Sequence, residues 1–155
     1  KEGLPQLYYT ENFLANAILS GRLGPAGNAG IRIECEARVP ENLPIADADL
    51  CMLLSNLLDN AVEACERLPA GSERFISLSL TVKQGVFLVI CQNSAPPRNT
   101  GSSSFLTSKP DAGCHGLGIP TMRRVTEKYD GALELRQLGS VFTLQAALRL
   151  PPENH

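Results

Sequence analysis

Four polar residues, Asn56, Asp59, Asn60 and Glu63, recur at spacing i, i+3, i+4, i+7 within LCMLLSNLLDNAVEACE, residues 50–66. At about 100° per residue they share one side of a helix. Leu50, Leu53, Leu54, Leu57, Leu58, Ala61 and Cys65 share another and read as a core face. The polar set holds carboxamides and carboxylates with no Lys or Arg inside it. Oxygen donors of this kind suit a hard cation such as Mg²⁺, which keeps several waters and takes its remaining ligands from phosphates. The plainer alternative is the water-facing side of an amphipathic helix, although such sides usually mix charge signs.

Three further groups could do chemistry, each with an ordinary alternative. His115, Gly116, Leu117, Gly118 and Ile119 open a helix after a long irregular stretch. Glycines let a ligand approach the backbone, and the N–H groups at a helix start favour phosphate; the alternative is a tight loop-to-helix turn. The pattern is neither a Walker A loop nor a dinucleotide fingerprint. Asn93 follows the apolar run VFLVIC. It could read a base edge by hydrogen bonding, or simply begin a turn. Lys109, within Thr-Ser-Lys, could close over a terminal phosphate or remain solvated. With two histidines, one of them His155 at the end of the chain, no Ser/His/Asp or Cys/His triad is convincing.

These residues need a scaffold, and 155 residues with 43% hydrophobic and 19% charged content suffice for one domain with a real core. A net charge of −2 without a basic run argues against nucleic acid as a partner. No apolar run approaches the roughly 18–20 residues of a membrane helix, and no signal-peptide pattern is present. Five cysteines without C-x-x-C spacing fit reduced, buried thiols in a cytosolic compartment better than a zinc site or disulfides.

The expected order is α, β, α, β, β, long loop, α, β, β. A helix over 7–23, with Phe13 and Leu14 on its apolar side, should stop at Gly24-Pro25. Residues 31–39 and 75–82 alternate as half-buried strands, and Gln84-Gly85 is a hairpin turn. Residues 86–91 are apolar throughout, so this strand should be covered more fully than its neighbour. Asp47 or Asp49 should cap the central helix. Residues 92–113, rich in Asn, Ser, Pro, Gly and Thr, read as a functional lid, poorly ordered from about 96 to 114 without nucleotide. A helix to Tyr129 and strands over 132–138 and 141–150 complete a two-layer α/β sandwich: three helices on a mixed, mostly antiparallel sheet of about five strands.

The order of the motifs is more specific than any one of them. NLLDNAVEA on a helix, a strand ending at Asn93, a lid with TSK and then HGLGIPTMRRVTEKYDGALEL resemble the ATP-binding catalytic domain of sensor histidine kinases. That is a branch of the gyrase/Hsp90/histidine-kinase/MutL superfamily with the Bergerat-type fold. The similarity is greatest to the peptide-pheromone-sensing (quorum-sensing, AgrC) type and covers residues 31–150. Residues 1–30 resemble the end of a dimerisation helix with its linker, and 151–155 are a tail. The resemblance implies ATP and Mg²⁺ as cofactors, with Asn60 as a metal ligand and Asn56 either joining it or facing the γ-phosphate. Asp59 would support the adenine end. Asn93 stands where relatives carry an adenine-reading Asp, and Asn93-Ser94-Ala95-Pro96-Pro97 replaces the usual D-x-G-x-G. Gly116 and Gly118, flanking Leu117 and following His115, match the second glycine box. Glu63 replaces a basic residue, leaving Lys109 for the γ-phosphate. Residues 7–23 hold no histidine, so an acceptor histidine must come from outside them. The implied partners are the parent's own dimerisation domain and a response regulator, with this domain cytoplasmic in a membrane-anchored homodimer. The alternatives are a Ser-directed kinase or ATPase of the same superfamily, or a degenerate nucleotide-sensing interaction module.

Overall fold

The computed structural model describes residues 10–97, 104–105 and 118–152. Of the expected lid over 92–113, residues 92–94 instead continue a strand and 104–105 form a short one, while Lys109, His115, Gly116 and Leu117 lie outside the described residues. Three helices, α1 (Phe13–Asn28), α2 (Asp47–Glu66) and α3 (Gly118–Lys128), are described. The strands are β1 (Arg32–Ala37), β2 (Phe75–Lys83), β3 (Val86–Ser94), β4 (Ser104–Phe105), β5 (Ala132–Leu138) and β6 (Val141–Arg149). They form one sheet in the order β1-β2-β3-β6-β5-β4, parallel only between β1 and β2. Five long strands and the two-residue β4 therefore make the expected mixed, mostly antiparallel sheet under three helices.

Alternation decides which strand residues enter the core. Ile76, Leu78 and Leu80 of β2, Phe87, Val89 and Cys91 of β3, and Leu144, Ala146 and Leu148 of β6 are buried in one core with Leu53, Leu54, Leu57 and Leu58 of α2 and Ile119, Met122 and Val125 of α3. The opposite face is more open: Val86, Leu88 and Ile90 are half-buried. Continuous apolarity in β3 therefore does not mean cover on both faces, because the helices pack on one side only. Gln84 and Gly85, both at positive φ, make the β2–β3 turn.

Three local expectations are corrected. First, α1 runs through Gly24-Pro25 to Asn28. Leu23 and Ala26 on either side of Pro25 are both buried, and this packing outweighs the hydrogen bond that a proline removes. The helix stops at Gly30, φ 97°. Its start is capped by Asn12, whose Oδ1 accepts from Ala15 N at 2.9 Å. Phe13, expected on the apolar side, is 86% exposed. Second, Ala46 is the N-cap of α2, and Asp47 and Asp49 lie in its first turn instead. Third, Cys51 is exposed, whereas Cys65 and Cys91 are buried as expected. Burial pushes the Cys35 and Cys91 thiols up to about 12 and raises Cys65 as well, so these thiols stay protonated.

Candidate functional site

α2 carries its polar stripe along the boundary between two neighbours, and the stripe divides there. Asn56 and Asn60 face the first residue of α3. A Cβ built on Gly118 would lie 3.3 Å from Asn56 Oδ1 and 3.6 Å from both terminal atoms of the Asn60 amide. A Cβ here would be tight against Asn56 Oδ1 and in ordinary contact with Asn60, so glycine leaves the amide pair more room. Asn56 Nδ2 donates to Met52 O at 2.8 Å, which turns Oδ1 toward α3. Both amides are half-buried.

Asp59 and Glu63 turn toward α1. Arg22 Nε donates to Asp59 Oδ1 at 2.8 Å, with the two side chains 40% and 49% exposed. A cavity of about 470 Å³ between α1 and α2 takes in Arg22, Asp59, Glu63, Glu66 and Arg74 on its walls. The stripe thus lacks a cation in sequence but receives one in space. Arg74 also fastens the end of α2, donating to Cys65 O and Leu68 O, each at 2.8 Å. Cys65 O also accepts from Leu68 N at 3.2 Å, so the guanidinium closes over the turn that ends the helix.

Asn93 is 2% exposed near the end of β3. Its Nδ2 donates to Ser94 O at 2.9 Å, which orients the carboxamide. The same strand end passes under the last turns of α2, where Cys65 Sγ donates to Ser94 O at 3.8 Å. Across the sheet Asn93 is in register with Phe142, and Phe142 with Gln137.

α3 is pinned at its far end. Tyr129 Oη donates to Asp49 Oδ2 at 2.7 Å and accepts from Ala46 N at 3.0 Å, while Lys128 Nζ lies 2.9 Å from the same carboxylate oxygen. The Lys128 and Tyr129 hydrogen bonds hold the Asp49 carboxyl below the usual carboxylate range.

Asn56, Asn60 and Gly118 therefore come together, Asp59 and Glu63 border them on the α1 side, and Asn93 sits beneath the end of α2. Arg22, Arg74, Tyr129 and Gln137 were not singled out by sequence reasoning. Tyr129 and Gln137 left a signal there: Tyr129 falls on the inward side of its helical pattern with Met122 and Val125, and in the alternating β5 Gln137 falls on the same side as Leu133 and Leu135. As a metal site the cluster offers neutral amide oxygens. Among the described residues no group of three His, Cys, Asp or Glu could hold an ion. Amide oxygens suit a hard cation that fills its other positions with water and phosphate.

Residues 45–149 match the model of the GHKL domain family, and the chain belongs to that family. Sensor histidine kinase NatK of Bacillus subtilis (strain 168) is 24% identical over 141 residues, covering 87% of this chain and 44% of that protein. The chain thus spans less than half the length of this relative. Among solved structures, the catalytic domain of histidine kinase ThkA superposes with a TM-score of 0.68 at 18% identity, covering 90% of this chain and 93% of that one. Acinetobacter baumannii histidine kinase AdeS superposes with a TM-score of 0.66 at 14% identity, covering 90% and 64%. The fold is that of histidine kinase catalytic domains. No described helix is long and apolar enough to cross a membrane.

Proposed function

We propose that this chain binds Mg·ATP against α2 and α3 and donates the γ-phosphoryl group to a histidine on the dimerisation domain of a two-component sensor kinase. The observation that carries the reading is the seating of Gly118 over Asn56 and Asn60, which joins an amide pair one turn apart to the glycine that opens a helix. In this reading Asn60, helped by Asn56, would hold Mg²⁺, which supplies charge neutralisation on the phosphates. The N–H groups at the start of α3 would face the same anion. Asn93 accepts from the adenine amino group through Oδ1. Asp59, restrained by Arg22, would support the adenine end, with Glu63 one turn further along α2. Lys109 would reach the γ-phosphate, with His115, Gly116 and Leu117 on the loop beside it. Catalysis in such a site is positioning and electrostatic stabilisation, because the acceptor brings the nucleophile.

The same reading makes α1 the end of a dimerisation helix packed on the catalytic core. It places the domain in the cytoplasm beneath a membrane-anchored homodimer of the peptide-pheromone-sensing type, with a response regulator as the downstream partner. Nucleotide titration with and without Mg²⁺ tests the site, and phosphotransfer from ATP to a separately supplied dimerisation domain tests the reaction. Absence of Mg²⁺-dependent ATP binding refutes the proposal. A second reading, an interaction module without catalysis, is favoured by Asn93 and by Pro96-Pro97 in place of the first glycine box. It requires Mg²⁺-independent binding or none.

A further inference from the structure

We infer that Gln137 is a positioning residue for base recognition: it holds the strand end that carries Asn93 by tying down the proline pair that follows it. Its Nε2 donates to Pro96 O at 2.8 Å and to Gly139 O at 3.1 Å. Both amide hydrogens are thereby used, and the side chain joins the chain leaving β3 to the turn between β5 and β6. Gln137 is 8% exposed, in a strand whose other inward residues are Leu133 and Leu135.

The need for such a side chain follows from the local sequence. β3 pairs with β6 as far as Ser94↔Val141, and Ala95 N still donates to Ser140 O at 2.9 Å. Pro96 and Pro97 then offer no N–H, so the ladder cannot continue. The Pro96 carbonyl instead finds its donor in Gln137, two strands away along the row Asn93–Phe142–Gln137. With Ala95 and Pro96 both tied, the Ser94 carbonyl that takes Asn93 Nδ2 is held in place, which sets the orientation of the Asn93 amide and of its Oδ1 acceptor. An acceptor fixed there favours the exocyclic amino group of adenine and opposes the carbonyl that guanine presents at the same position.

This inference rests on the proposed nucleotide site, and its test separates the two. The ratio of ATP to GTP affinity is measured by titration in the presence of Mg²⁺, with thermal melting alongside. Wild type is expected to prefer ATP. Gln137→Met, of similar size but without donors, is expected to lower the ratio about tenfold, the scale of losing one or two hydrogen bonds. Gln137→Lys, whose ammonium can reach both carbonyls, is expected to retain the preference, and it decides the matter if Gln137→Met fails to fold. A wild-type ratio near one overturns the adenine reading and this inference with it. A wild-type preference that survives in folded Gln137→Met, whatever its melting temperature, overturns the inference alone. A folded Gln137→Lys that has lost the preference does the same.

Discussion

The hydroxyl of Tyr129 donates to Asp49 Oδ2 at 2.7 Å, pinning the last turn of α3 to the first turn of α2. At its other end α3 meets the middle of α2 through Gly118 and Asn56. The two helices are thus fastened at one end by a charged cluster and left open at the other by a glycine.

The cluster makes stability depend on pH with a defined sign. The Asp49 carboxyl is depressed by its hydrogen bonds to Lys128 and Tyr129. Its contribution is present above the ordinary carboxylate value of about 3.9 and is lost as pH falls through the lower folded value. The Lys128 ammonium is raised by Asp49, so its contribution holds below the ordinary lysine value of about 10.4 and is lost above the raised one. Asp49→Asn should therefore melt below wild type at pH 7, with the gap narrowing toward pH 3. A gap of constant size across that range would contradict this sign.

Asn60→Ala should abolish the Mg²⁺-dependent part of ATP affinity while shifting stability by no more than about 1 kcal/mol, since Asn60 borders the cleft rather than the core. Wild-type-like Mg·ATP affinity in the variant, measured by calorimetry, would remove Asn60 from the metal site.

Asn93→Asp should tighten adenine nucleotide binding, because the stronger hydrogen bond that a carboxylate accepts outweighs the lost donation from Nδ2 to Ser94 O. An unchanged or weaker dissociation constant would count against Asn93 as the base reader.

Two glycines should respond differently to alanine. At Gly131 a Cβ would collide with the carbonyl oxygen of Ala147, a backbone atom that cannot swing away. Gly131→Ala should cost about 3 kcal/mol or more in chemical denaturation. At Gly118 the nearest atoms are the amide ends of Asn56 and Asn60, so Gly118→Ala should fold and bind nucleotide less well. A stable Gly131→Ala, or a Gly118→Ala with unaltered affinity, would break the contrast.

The Arg22–Asp59 pair is about half exposed on both sides, so Arg22→Ala should lower stability by less than about 1 kcal/mol. A larger loss would mean that α1 is held on α2 by this bridge rather than by Leu19, Leu23 and Ala26.

Periodicity by itself determined the order of the helices and the five longer strands, the core face of α2 and the inward residues of β2, because these follow from 3.6- and 2-residue repeats that every neighbour reinforces; the two-residue β4 is too short to show one. It also put Asn56, Asp59, Asn60 and Glu63 on one side of one helix. Only the tertiary structure decided how that side divides, since its neighbours, Gly118 and Arg22, come from helices far apart in sequence. Burial of Leu23 and Ala26 carried α1 past Pro25, and one-sided helix packing left Leu88 and Ile90 half-open. Gln137 acquired its partners only when Pro96 and Gly139 were folded against it, a proximity that no local pattern encodes.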